Sequence, residues 1–152
     1  MIEGLDSDIA EHLKQLAWEQ SEAFCYNDYI KVPKDKNGNT FCPKCGSDDL
    51  MRILPYDGPE YGIEWVMEAI IQQEWKLVSS SDIKKATEDF IDELYPDGFE
   101  ICGGQYYASD ILKNCSPGDF EAQVSEYQDR QVEDGYWVEV GNSVYVVPED
   151  MK

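Results

Sequence analysis

Cys42-Pro43-Lys44-Cys45-Gly46, with Phe24-Cys25-Tyr26-Asn27-Asp28-Tyr29 upstream of it, decides how this chain is read. In the first stretch two cysteines sit two residues apart, so both thiolates can grip one tetrahedral metal while Pro43 and Gly46 let the backbone curl around it. That is one knuckle of a zinc ribbon and calls for a second. Upstream, Cys25 and Asp28 repeat the two-residue gap, with thirteen residues between Asp28 and Cys42. Zinc accepts a carboxylate at a bond length close to that of its other ligands, so the expected site is Cys25, Asp28, Cys42 and Cys45 around a structural zinc ion. The competing reading leaves the three cysteines as small buried residues without metal, since free cysteine is among the most often buried side chains. Cys102, Cys115, His12 or water are rivals to Asp28 as fourth ligand. Packing is the default role of Cys102, within an apolar segment, and of Cys115, after a short helical pattern.

Working outward, an odd total of five cysteines and a start of Met-Ile-Glu-Gly-Leu-Asp, with neither a basic region nor an apolar core, point away from a disulfide framework. The expectation is a reducing compartment, the cytoplasm. The formal charge is -20, from 12 Lys and Arg against 32 Asp and Glu on 152 residues. Such a chain repels nucleic acid and membrane surfaces. It is nonetheless built to fold, because 42% hydrophobic residues, with four Trp, ten Tyr and five Phe, supply a sizeable core. The charge is uneven: residues 1–24 carry -5, residues 25–52 carry +1 and residues 53–152 carry -16.

Asp6 or Ser7 can cap a helix whose apolar Ile9, Leu13, Leu16, Ala17 and Phe24 recur at helical spacing up to the first knuckle. Residues 1–24 are therefore read as an N-terminal helix docked to the body, and residues 25–54 as the ribbon-like module. Within the module Tyr29-Ile30-Lys31-Val32 predicts a short strand and Lys34-Asp35-Lys36-Asn37-Gly38-Asn39 a turn, with Leu50 to Leu54 leading out. Pro55-Tyr56-Asp57-Gly58-Pro59 marks the boundary, since it can sustain neither helix nor central strand.

Residues 55–152 read as an acidic α+β domain. Ile63, Val66, Met67, Ile70 and Ile71 line one helix, flanked by Trp65 and Trp75. After an N-cap within Ser79 to Asp82, a second helix sets Ile83, Ala86, Phe90, Ile91 and Leu94 inward and Glu88, Asp89, Asp92 and Glu93 outward. Phe99 to Cys102 reads as a strand and Ser109 to Asn114 as a short helix. A longer helix follows Pro117, carries Phe120, Val124, Tyr127 and Val132, and stops at Asp134-Gly135. Tyr136 to Val140 and Ser143 to Val147 flank a Gly141-Asn142 turn, the clearest hairpin in the chain. The Phe99 segment could add a third strand, leaving one face to pack on helices. The expected fold is thus α+β, a helical body with a small C-terminal antiparallel sheet and a zinc-ribbon-like module near the N-terminus.

Catalytic signals are thin. The single histidine, His12, is the only one around which a Ser-His or Cys-His pair could be built, and Gly103-Gly104 reads as a turn after a strand rather than a phosphate loop. Carboxylate pairs such as Asp48-Asp49 are too numerous to single out a glycosidase or two-metal site. Aromatic pairs such as Tyr106-Tyr107 could stack bases, but stacking platforms sit in positive grooves. The one basic cluster, Lys31, Lys34, Lys36, Lys44 and Arg52, is offset by Asp28, Asp35, Asp48 and Asp49. A non-enzyme that binds no nucleic acid is expected, with zinc-dependent hydrolysis a distant third reading.

Cys25, the run Phe41-Cys42-Pro43-Lys44-Cys45-Gly46-Ser47-Asp48-Asp49-Leu50-Met51-Arg52 and Glu60-Tyr61-Gly62-Ile63-Glu64-Trp65-Val66 together resemble small acidic proteins carried by phages and plasmids. The resemblance covers the first half best, and departs from the pattern at Asp28, where a second cysteine is expected. It implies metal ligation by Cys25, Cys42 and Cys45 and an origin on a mobile element, where acidic proteins counter host defence by occupying DNA- or RNA-binding surfaces.

Two functions follow as expectations. In the first the protein is an acidic inhibitor or decoy that imitates a nucleic-acid backbone and binds a basic nucleic-acid-binding protein such as a nuclease, a CRISPR or restriction effector, or a transcription component. Its candidate surface is Glu88, Asp89, Asp92 and Glu93 on one helix and Asp119, Glu121, Glu126 and Asp129 on the next. In the second it is a zinc-ribbon protein-protein adaptor whose acidity serves solubility only.

Overall fold

A computed structural model describes residues 2–32 and 41–151. The turn expected over Lys34 to Asn39 lies outside the described residues. The chain opens with strand β1 (Ile2–Glu3) and helix α1 (Ser7–Gln20), then forms β2 (Glu22–Cys25), β3 (Ile30–Val32), β4 (Met51–Leu54) and β5 (Asp57–Glu60). Helix α2 (Glu64–Glu74), β6 (Leu77–Val78) and α3 (Ser80–Leu94) follow. The last third holds β7 (Phe99–Ile101), β8 (Gly104–Tyr106), α4 (Ala108–Cys115), α5 (Pro117–Glu133), β9 (Trp137–Val140), β10 (Ser143–Val146) and a short 3-10 turn (Glu149–Met151). The α+β class is as the sequence predicts.

The C-terminal hairpin forms as expected, with Val140 opposite Ser143 and Gly141 at φ 60°. Its neighbours differ from expectation. β1 adds beside β9 and β6 beside β10, giving the antiparallel order β1-β9-β10-β6. The Phe99 segment pairs instead with β8 as a separate two-stranded ribbon, because Cys102 (φ 51°) and Gly103 (φ 81°) fold it back at once in a two-residue turn.

Nor does the main sheet pack on one face only. Along β9 and β10 the side chains alternate. Val138, Val140, Tyr145 and Val147 join Ile9, Leu13 and Ala17 of α1, Leu54, and Val66, Ala69, Ile70 and Ile71 of α2. Trp137, Val144 and Val146 meet Val78, Ile83 of α3 and Val124 of α5 on the opposite side. The sheet is therefore covered by helices on both faces. A further cluster, Ile91, Ala108 and Phe120, ties α3, α4 and α5 together.

α1 begins as predicted, with the Asp6 carboxylate accepting the Asp8 N–H, but it ends before Phe24. At Ser21 the chain turns extended into β2, and the Ser21 hydroxyl donates to the Ala17 carbonyl at 2.6 Å. Phe24 is buried in the second sheet, whose order is β3-β2-β4-β5. β4 is thus an inner strand rather than a lead-out. Pro59 follows a cis bond in β5, the edge position where a missing donor is tolerated.

Arg52 of β4 is buried and fixes α1 to this sheet. Its guanidinium donates from Nε to Ser21 Oγ at 3.0 Å, and from Nη2 to the carbonyls of Ser21 at 2.7 Å and Trp18 at 3.2 Å. It also lies 4.6 Å from the Trp18 ring centroid. A positive charge here satisfies carbonyls at the C-terminal end of α1, where the helix dipole favours it. Arg52 therefore leaves the basic surface cluster proposed from sequence.

Candidate metal centre and acidic surface

The two knuckles converge. Cys25 closes β2, Asp28 and Tyr29 lie in the turn before β3, and Cys42 to Cys45 form the turn ahead of β4. The second knuckle is tied by the Gly46 N–H to the Cys42 carbonyl at 2.8 Å and by the Cys42 N–H to the Ser47 carbonyl at 2.9 Å. Gly46 takes φ 71°, the left-handed conformation that its lack of Cβ permits.

The ligand atoms of Cys25, Asp28, Cys42 and Cys45 all lie within 4.8 Å of one another and could hold one metal ion. Metal–sulfur bonds of about 2.3 Å at tetrahedral angles place two sulfurs about 3.8 Å apart, and a sulfur and a carboxylate oxygen about 3.6 Å apart. Cys25 Sγ stands 3.6 Å from Cys45 Sγ and 3.8 Å from Asp28 Oδ2. The Cys42 thiol donates to Asp28 Oδ2 at 3.0 Å, an edge that would have to open by about 0.6 Å for both atoms to ligate one metal. The donor set and its spacing fit a tetrahedral site.

The electrostatics order the four groups. The backbone N–H of Asp28, then the thiols of Cys42 and Cys45, pull Cys25 below the ordinary thiol range against the opposing effect of burial. Thiol hydrogen bonds from Cys42 and then Cys45 hold the Asp28 carboxyl below its usual value. At Cys45 the Ser47 N–H favours the thiolate, but burial with Cys42, Asp28 and Cys25 outweighs it and pushes the thiol up to about 12. A bound cation would resolve this crowding, since several anionic ligands could then coexist. Cys102, in the β7–β8 turn, Cys115, at the end of α4, and His12, on α1, are exposed and outside the cluster. The packing role expected for the two cysteines is not what their positions give them.

The acidic residues divide. On α3, Asp89 and Glu93 are exposed, whereas Glu88 and Asp92 are half-buried and turned to α4. Glu88 accepts a 2.7 Å bond from Lys113 Nζ. Asp92 accepts from the Ser109 N–H and hydroxyl, both at 3.0 Å, and so caps α4, whose own N-cap residue, Tyr107, makes no side-chain cap bond. These two carboxylates are structural and do not belong with a solvated α3 face. Asp119, Glu121, Glu126 and Asp129 are all exposed on α5, with Glu121 paired to Lys84 at 3.7 Å and Glu126 to Arg130 at 3.2 Å. The tertiary partners of Glu88, Asp92 and Arg52 carry no spacing signal, which is why sequence reasoning misses their roles.

Comparison with protein families, curated proteins and solved structures returns no match to this chain. Among the described residues no helix is long and apolar enough to cross a membrane.

Proposed function

We propose that this protein is a non-enzymatic acidic inhibitor or decoy of a basic nucleic-acid-binding protein, with a structural zinc ion in the Cys25, Asp28, Cys42 and Cys45 site. The observation that carries this reading is the -16 charge of residues 53–152, held on a packed helical body with Asp89, Glu93, Asp119, Glu121, Glu126 and Asp129 all exposed. Fixed carboxylates on rigid helices resemble a phosphate backbone in sign and density, and they steer association with a basic groove. A mobile-element protein that counters a CRISPR or restriction system is the setting in which such a surface has a use. Zinc is the metal suited to three thiolates and a carboxylate in a closed, four-coordinate site, where it staples the fold and supplies no reactive position.

The test is capture of partners from lysate at low and high salt, followed by their identification. A basic protein retained at low salt and released at high salt is expected, and D89N/E93Q/E126Q/D129N should weaken its capture without changing the fold. These four positions avoid Glu88 and Asp92, whose loss would disturb α4. A second reading, a zinc-ribbon adaptor, draws support from Tyr26 and Tyr29, exposed beside the cluster at 62% and 70%. A partner that binds the variant equally well across a wide salt range favours the adaptor.

A further inference from the structure

We infer that the apolar groove between the C-terminal end of α3, β7, α4 and the first half of α5 docks a basic amphipathic helix of a partner protein. The inference rests on the reading of the protein as a binder of basic proteins and names where on the acidic body such a partner is held.

The groove encloses about 560 Å³ and is lined by Leu94, Tyr95, Phe99, Ile111, Leu112 and Ala122, with Asp119 among its lining residues. Its origin is legible in α3. Ile83, Thr87 and Ile91 bury one stripe of that helix, and the stripe runs on into Leu94, which is 59% exposed. Tyr95 and Phe99 meet in a tilted pair, 5.4 Å between centroids, and remain 51% and 43% exposed. Ala122 on the facing helix is too small to cover them. Large apolar side chains left open together mark an interaction site. Grooves of this kind receive helices through anchors at i, i+3 or i+4, and i+7.

Charge selects the occupant. Residues 91–123, which contain the whole lining, carry seven carboxylates and one basic residue, Lys113, already bound to Glu88. Glu93, Asp97, Glu100, Asp110 and Asp119 are exposed. A second copy of this chain would bring its own charge of -20 to the same place, and a nucleic acid or an anionic bilayer would meet the same repulsion. A helix with Leu-like anchors on one face and Lys or Arg on its flanks satisfies both the apolar floor and the acidic rim.

The probe is a fluorescein-labelled peptide with leucines at helical spacing and lysines elsewhere, titrated by anisotropy against the full chain and mapped by amide chemical shifts. The expected result is binding that tightens as salt falls, with shifts centred on Leu94, Phe99, Ile111 and Ala122. Leu94→Ser and Ala122→Trp, both at exposed positions, should each weaken it about tenfold or more. E126Q/D129N should change it by less than about threefold. Equal binding of a peptide with serine in place of leucine, with shifts spread over α5, overturns the groove while leaving the charge-based reading standing. Equal binding of the same amphipathic peptide with glutamate in place of lysine overturns the basic occupant, and with it the reading on which the inference rests. Concentration-dependent shifts at these residues without peptide would make the occupant a second copy and overturn the inference.

Discussion

The candidate metal module and the body bury apolar surface on very different scales. Among the described residues, the buried cluster around the knuckles is Ala23, Cys25, Val32 and Cys42, with Ile30 and Leu50 packed against it, so half of its described buried members are metal-ligand candidates. The body, together with α1 and Leu54, gathers thirteen buried residues among those described into its main cluster, led by Leu13, Val66, Ile70, Ile71 and Val138. Small modules cannot offset the conformational entropy of ordering through burial alone and rely on metals or disulfides, whereas a core of the second kind is held by packing. The same chain therefore contains one region whose small core is built around a candidate metal site and another whose order is set by close packing.

The largest expected effect separates the two. Metal removal by chelator, or Cys42→Ser, should strip the protein of about one zinc per chain. Hydrogen exchange should then show loss of protection over the described residues between 25 and 50 while α2, α3 and β9 stay protected. Uniform loss of protection across the chain would break the comparison, and so would protein that holds no metal when purified from zinc-supplied cells. Because the ligands must be deprotonated, metal affinity should fall as pH falls.

A change in the body should do the converse. Leu13 is wholly buried against the main sheet, and Leu13→Ala should cost about 2–5 kcal/mol in global unfolding by denaturant. Zinc stoichiometry should be unchanged. Loss of metal in this variant would show that the module depends on the body after all.

The smallest effect sharpens the picture of how the body is held. Ser79 and Asp82 form a reciprocal capping box at the start of α3, at 3.1 Å in each direction. Ser79→Ala should cost about 1 kcal/mol. The backbone N–H of Ser79, then its hydroxyl, keep the Asp82 carboxyl below its ordinary value. The folded state thus favours the ionised form. Its contribution is complete above the ordinary carboxylate range and is lost as pH falls through the lowered value. Acid titration of stability should flatten in Asp82→Asn, and an unaltered acid limb would assign the loss to other carboxylates.

Much of this was legible in the residues. The Cys-x-x-Asp and Cys-x-x-Cys frames, the Gly141-Asn142 hairpin, the Ser79 cap and the Pro117 start of α5 are local signals, and each appears where its chemistry places it. What escaped depends on contacts far apart in sequence. β1 and β6 are two residues each, too short for any alternation to show, and they are recruited only because β9 and β10 offer unpaired edges. Phe24 keeps helical spacing with Ala17 yet belongs to a strand, because Ser21 diverts the chain and Arg52 receives it. Glu88 and Asp92 look like members of a solvated face until α4 is folded against them.

Arg52 gives the boundary between the two regions a property neither has alone. Its guanidinium grips the last turn of α1 from β4, through bonds that involve no thiolate and no metal. Melting that spreads from the knuckles should therefore meet a firebreak at the Ser21 end of the β2–β4 pair. If the site holds zinc as proposed, a cell short of that metal should be left with a frayed tip on an intact body, the acidic helices keeping their shape throughout.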